Sequence, residues 1–179
     1  MMKIFRKLLR KQTEMEYLLA HGMKVGKNSH IYSDSTIDHI YPHLISIGDN
    51  VTISTNVTIL AHDASTNVVG AGTKLGRVSI GNNVFIGTGT IVLCNTHIGN
   101  NVVVGAGSIV TRNLPDDAVY AGSPARRVCS IEEYREKMQK LRNKSPDLSR
   151  IRPWDQWADA SQEDCQKMCD ALADGVGFI

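Results

Sequence analysis

From Ile80 to Pro115 the chain reads IGNNVF IGTGTI VLCNTH IGNNVV VGAGSI VTRNLP, six hexads in succession without a gap. Apolar side chains open each of them, at Ile80, Ile86, Val92, Ile98, Val104 and Val110. Neither a 3.6-residue helix nor a two-residue strand generates a period of six. The same register runs back through Ile47, Ile53 and Ile59, and less regularly through Val25, Ile31 and Ile37. The fifth position is small or β-branched throughout (Ser29, Ser35, Val51, Val57, Val84, Thr90, Thr96, Val102, Ser108), as short strands favour. Glycine recurs at the second position, followed by Asn or Gly where the backbone must turn and a positive φ is cheapest. Each hexad therefore reads as one short strand and one corner. Three hexads make a triangular coil, and stacked coils pair their strands in parallel at about 4.8 Å, each coil covering the apolar column of the next. A sandwich with regular turns would space its strands by roughly 8 to 12 residues instead. The predicted fold class is an all-β solenoid, a parallel β-helix with helical extensions at both ends.

Composition agrees. The chain has 179 residues, 42% hydrophobic and only 6% aromatic, which suits one compact domain whose narrow core is filled by Ile and Val. A net charge of +2 gives no ground for nucleic-acid binding, although Lys3, Arg6, Lys7, Arg10 and Lys11 form a local basic run. No apolar stretch is long enough to span a membrane or to serve as a secretory h-region, so a cytoplasmic location is expected. Cys94, Cys129, Cys165 and Cys169 lack zinc-ligand spacing and are read as free thiols. Cys165 and Cys169, one helical turn apart, are expected to pack against the body rather than to act as a redox pair.

The expected organisation is an N-terminal helix over residues 1–22, the β-helix over 23–130 with a loop at 60–78, and a helical extension over 131–179. Phe5, Leu8, Leu9, Met15, Leu18 and Leu19 recur at helical spacing and Gly22 supplies the stop. This helix is read as a cap over the open end of the solenoid, with attachment to a membrane surface as the other use of the same pattern. Beyond the repeat, Ile131 to Leu141 reads as a charged helix. Ser161 with Asp164 forms a capping box for a last helix through Ala173. Trp154 and Trp157 are candidates to pin that tail to the body or to a neighbouring chain.

Between Ile59 and Ile80 the register breaks, and a polar, glycine-rich stretch leaves the prism. Loops on rigid scaffolds commonly carry function, and His62 stands at the start of this one. Asp38, His39, Tyr41 and His43 interrupt the register a second time, around Pro42.

The stretches ISIGDNVTISTNVTILAHD (45–63), VSIGNNVFIGTGTIV (78–92) and VVVGAGSIVTRNLPDDAVYAGSPARRV (102–128) resemble the hexapeptide-repeat acyltransferases, over about residues 25–130. The hexads carry the resemblance in fold. The GAGSIVTRNLP and AGSPARR phrases carry it in activity, and look like the sugar O-acetyltransferase branch. The resemblance implies a left-handed coil, although parallel crossovers are generally right-handed. It also implies a homotrimer with active sites between subunits and direct acetyl transfer from acetyl-CoA to a hydroxyl of a sugar or polysaccharide precursor, with no metal. His62 matches the family's general base, and Asp63 is the candidate to orient it. Thr88, Gly105, Ala106, Thr111 and Arg112 match the coenzyme groove, with Arg126 and Arg127 for its phosphates. Asp38 and Tyr41 match the acceptor end, and Phe85 stands where the family often has an indole, keeping the apolar wall without its N–H. Serine, antibiotics and amino groups remain open as acceptors. Two other classes share the fold. A γ-type carbonic anhydrase needs three histidines around zinc, whereas here Asn67 stands where a ligand would follow His62, with His97 distant in sequence. A non-catalytic scaffold is the other.

Overall fold

The computed structural model describes residues 14–151, 153–173 and 175–179. The first thirteen residues, with the basic run and the apolar positions Phe5, Leu8 and Leu9, lie outside the described part. Two compact units divide the chain at Ile131 and Glu132.

In the first unit the hexads form three parallel sheets, one per face of a prism. The first face stacks Lys24–Val25, Ile45–Ile47, Val78–Ile80 and Thr96–Ile98. The second stacks His30–Ile31, Thr52–Ile53, Phe85–Ile86, Val102–Val104 and Ala118–Ala121. The third stacks Thr36–Ile37, Thr58–Ile59, Ile91–Val92 and Ile109–Val110. The residues that open each hexad point inward. Ile53, Ile59, Ile86, Val92, Ile98, Val104 and Val110 have no accessible surface, and each such side chain contributes about 1.5–3 kcal/mol when fully buried.

Register shows where the chain departs from its period. Ile98 stacks on Ile80, an interval of exactly three hexads. Ile47 stacks on Val25 and Ile80 on Ile47, and both of these intervals are longer than three hexads. The excess lies between Ile37 and Ile45 and again between Ile59 and Val78, so both excursions leave the prism at the same edge, where the third face turns into the first. The first is a short 3-10 turn, Pro42–Leu44, with Pro42 buried. The second is an antiparallel hairpin of His62–Asp63 with Lys74–Leu75 around a 3-10 segment, Ala64–Val69. At the far end the repeat shortens. Ala118 pairs with Val102 across less than three hexads, and the chain reverses into the antiparallel strand Arg126–Ser130, which closes the second face to further parallel growth.

One edge, between the first and second faces, fixes the coil spacing. Gly26, Gly48, Gly81 and Gly99 stack there, and a Cβ at Gly81 would stand 2.7 Å from the Gly99 carbonyl oxygen. These glycines are needed for close approach, because the positive φ falls two residues later, on Asn28, Asn50, Asn83 and Asn101. The asparagines extend the stacking into a side-chain ladder. The amide of Asn50 donates to Asn83 at 3.1 Å, Asn83 to Asn101 at 3.1 Å, and Asn101 to Asp117 at 2.8 Å.

At the first coil, residues 14–20 are helical. Leu18 is buried with Met23 in the core of the prism and Met15 packs against it, as a cap requires. Gly22, at φ 97°, ends the helix, and the Met23 N–H donates to the Leu18 carbonyl at 3.0 Å, a Schellman closure.

In the second unit, Ser161 caps the helix Gln162–Ala171 through a reciprocal box with Asp164, as expected. The preceding helix, Ile131–Arg142, also matches its expectation. The Leu148 N–H donates to the Phe178 carbonyl at 2.7 Å, and Leu148 is buried. Cys165 and Cys169 are exposed, so the packing role expected of them is not what their helix offers within this unit. The side chains of Trp154 and Trp157 lie outside the described residues.

Replacing Gly81 by Ala drives a methyl group into the next coil. The expected cost is about 1–3 kcal/mol, read by urea unfolding. Asn56→Gly, at a positive-φ corner on a different edge, is expected to cost less than about 1 kcal/mol; equal effects at the two positions would contradict close approach as the constraint.

Candidate active site

The two excursions leave adjacent coils at one edge, so the residues that start them become neighbours. Ile37 stacks on Ile59. Asp38 follows the first, and His62 comes shortly after the second. The structure joins them: His62 Nδ1 hydrogen-bonds Asp38 Oδ2. The Asp38 side chain is fully buried, while that of His62 keeps 27% of its surface exposed.

The Asp38 carboxylate is held from three further directions. Its Oδ2 accepts the Ala61 N–H at 2.9 Å, and its Oδ1 accepts the N–H groups of Ile40 at 3.0 Å and Tyr41 at 3.2 Å. Burial pushes this carboxyl upward, but the hydrogen bonds from His62 and from the Ala61, Tyr41 and Ile40 amides outweigh it, leaving it below the usual carboxylate range. An ionised carboxylate only accepts, so the shared proton belongs to His62 Nδ1. In a neutral imidazole this leaves the lone pair on Nε2, the nitrogen turned away from Asp38. The Tyr41 ring stands edge-on to the imidazole with centroids 5.5 Å apart, a further wall for the same side chain.

Asp63 does not meet the imidazole. Its carboxylate accepts the Ser65 N–H at 3.0 Å, capping the 3-10 segment, and pairs with Lys74 at 3.0 Å across the hairpin. The Ser65 contacts and Lys74 hold it well below the usual carboxylate range. Adjacent residues in a strand point to opposite sides; with His62 turned toward Asp38, Asp63 faces the hairpin. The expected orienting role of Asp63 is therefore corrected: the carboxylate that meets His62 is Asp38, which the resemblance placed at the acceptor end. A signal for it was present in the register, since Asp38 follows a strand stacked directly on the one that leads to His62.

The remaining candidates divide between two edges. Thr88, Gly105 and Ala106 lie between the second and third faces, next to the half-exposed Phe85, whose side chain projects from the second face. Thr88 Oγ1 lies 3.3 Å from Thr55 Oγ1 of the preceding coil. Thr111 and Arg112 lie at the opposite edge of the third face, on the side of His62, and both are exposed. Arg126 and Arg127 are exposed on the reversed strand, where Arg126 Nη1 donates to the Ala125 carbonyl at 3.1 Å. Cys94 is buried. Among the described residues no group of three His, Cys, Asp or Glu side chains is arranged to hold a metal, and no helix is long and apolar enough to cross a membrane.

Comparison with known proteins agrees with this fold. The bacterial transferase hexapeptide family (six repeats) matches residues 77–112, and the hexapeptide repeat of succinyl-transferase matches residues 22–61. The chain is 38% identical over 143 residues to Protein CapG of Staphylococcus aureus, covering 77% of this chain and 83% of that one. Among solved structures, it is similar to a hexapeptide-repeat acetyltransferase of Vibrio cholerae complexed with acetyl coenzyme A, at 25% identity and a TM-score of 0.57, covering 62% of this chain and 61% of the other. It is also similar to a maltose O-acetyltransferase of Clostridium difficile, at 30% identity and a TM-score of 0.52, covering 63% and 72%. The coil is accordingly of the left-handed type that the resemblance implied.

The depressed Asp38 carboxyl links this site to acid stability. A carboxyl whose folded value lies below its ordinary 3.8 stabilises the fold above that pH, and the contribution is lost as pH falls through the folded value. Urea unfolding of the wild type between about pH 6 and pH 3 should therefore show a steeper acid loss than Asp38→Asn, which carries no titrating group there. Parallel pH curves for the two proteins would contradict the ionised, hydrogen-bonded state of Asp38.

Proposed function

Because the chain belongs to the hexapeptide-repeat acyltransferase family, we propose that it is an acetyl-CoA-dependent O-acetyltransferase acting on a sugar or polysaccharide precursor, with His62 as general base. The observation that carries this reading is the Asp38–His62 pair. A buried, multiply anchored carboxylate holds the Nδ1 proton, so the partly exposed imidazole offers Nε2 outward. An alcohol becomes an adequate nucleophile when its proton is withdrawn as it attacks, and imidazole has the basicity for that near neutral pH.

The step is a direct displacement. The acceptor oxygen attacks the thioester carbonyl carbon as its proton passes to His62 Nε2. The tetrahedral intermediate then collapses with cleavage of the carbon–sulfur bond, and the imidazolium returns the proton to the departing thiolate of coenzyme A. Asp38 steadies the positive imidazole in between and acts as a positioning residue. No acyl-enzyme is needed, and Cys94 is buried, so ternary-complex kinetics follow.

The placement of the candidates supports a site shared between copies. Thr88 and Ala106, next to Phe85 of the second face, occupy one edge of the third face, and His62, Thr111 and Arg112 the other. In a cyclic homotrimer these unlike edges meet at each seam, which places the imidazole of one copy beside the coenzyme groove of the next. The exposed guanidinium groups of Arg112, Arg126 and Arg127 suit the coenzyme phosphates. The acetyl-CoA and maltose named for the two structural relatives favour the same co-substrate and a saccharide acceptor.

His62→Ala is expected to retain the fold and acetyl-CoA binding while losing about two to four powers of ten in turnover, measured by free-thiol release with a saccharide acceptor. Near-normal turnover in a folded variant would exclude His62 as the base. Replacing Arg112 and Arg126 together with Ala should raise KM for acetyl-CoA by about ten-fold or more and leave that for acceptor nearly unchanged. An unaltered KM for acetyl-CoA would refute their role at the phosphates.

A further inference from the structure

We propose that the cleft between the N-terminal helix and the first coil is an acceptor subsite, and that it takes a saccharide carrying an apolar substituent. The proposal rests on the acetyl-transfer reading above and names where the acceptor lies. The cleft has a volume of about 550 Å³, within the range of small-ligand sites. Met15, Leu19, Val25 and Ile31 give it an aliphatic floor, and His30 and Tyr32 add an imidazole and a phenol.

Two features mark it as more than a gap in packing. The helix turns Leu18 into the core, yet leaves Leu19 46% exposed, and Tyr32 is 54% exposed beside it. Among the described residues, large apolar surface is thus left exposed beside the capping helix. The lining also has two kinds of chemistry in one cleft. A pyranose presents C–H faces that lie on an aromatic ring and a rim of hydroxyls for hydrogen bonds, which matches Tyr32 and His30. The aliphatic floor gains nothing from hydroxyls, and favours an alkyl, aryl or lipid group attached to the sugar.

The level of the cleft along the solenoid agrees with an acceptor role. On the second face His30 stacks on Thr52 and Thr52 on Phe85, all in register. The cleft therefore lies two strand spacings, about 10 Å, from Phe85. His62 leaves the prism from the coil between them, directly after Thr58–Ile59. In a cyclic assembly whose axis runs along the prisms, equivalent coils stand level. The imidazole of one copy then lies between the level of the cleft and the level of Thr88 on the next. Direct transfer needs the acceptor hydroxyl within reach of both base and thioester, and a saccharide extending from the cleft toward Thr88 passes the imidazole on its way.

The test measures binding of n-octyl and methyl β-D-glucosides, and of the matching galactosides, to the full chain saturated with coenzyme A, below the micellar concentration of the octyl compounds. The octyl member of at least one pair is expected to bind about ten-fold or more tightly than its methyl counterpart. Tyr32→Ala and Leu19→Ser, both at exposed positions, should each weaken octyl-glycoside binding by about five- to ten-fold while acetyl-CoA affinity stays at the wild-type value. Equal affinities within both pairs, absence of glycoside binding, or octyl-glycoside binding unaffected by both substitutions would overturn the subsite. Failure of the wild type to bind acetyl-CoA would instead overturn the acetyl-transfer reading on which it rests.

Discussion

The distance between stacked coils is the constraint on which the rest of the structure depends. Such short strands cannot hold a sheet by themselves. They persist because every inward Ile or Val is covered by the coil above and below it, and because Gly26, Gly48, Gly81 and Gly99 let backbone meet backbone at one edge. The asparagine ladder on that edge ties neighbouring coils and tolerates the positive φ that each turn demands. Extra chain therefore has no room at this edge. It leaves the prism elsewhere, and both excursions do so where the third face meets the first.

That shared exit makes the Asp38–His62 pair. Excursions from adjacent coils begin within hydrogen-bond reach of each other, so Asp38 and His62, far apart in sequence, become partners. Burying a carboxylate is costly unless its lone pairs are occupied. Here the amides of Ile40, Tyr41 and Ala61 and the imidazole occupy them, and the bend around Pro42 supplies two of those amides. The outcome is an imidazole held in one tautomer at the mouth of a loop. Asp63, one residue further on, anchors the hairpin through Ser65 and Lys74 instead.

The period of six is visible in one sequence because every coil repeats the same burial problem, so the prism, its inward column and the helices at both ends were legible in the pattern of residues alone. The two breaks in register were legible as well. Which carboxylate would meet His62 was harder, because sequence adjacency favours Asp63, whereas strand alternation sends neighbours to opposite sides and stacking brings Asp38 in from the coil before. The exposure of Cys165 and Cys169 was also hidden: helical spacing puts both on one face of their helix without saying what that face meets. The cleft lined by Leu19 and Tyr32 has no sequence signature, since its lining comes from two separate elements, the capping helix and the first coil, whose meeting residue spacing does not give.

In the proposed reading an acetyl-transfer site is completed by two copies of the chain, one contributing His62 and the other the edge bearing Thr88 and Ala106. Subunit mixing tests it directly, with His62→Ala in one population and a bulky block, Ala106→Trp, in the other, each inactive alone. Unfolded together and refolded, the mixture is predicted to recover acetyl transfer at about one quarter of its seams, where both intact halves meet by chance. A mixture as inactive as its two parents would contradict a shared site and place all the chemistry within a single chain.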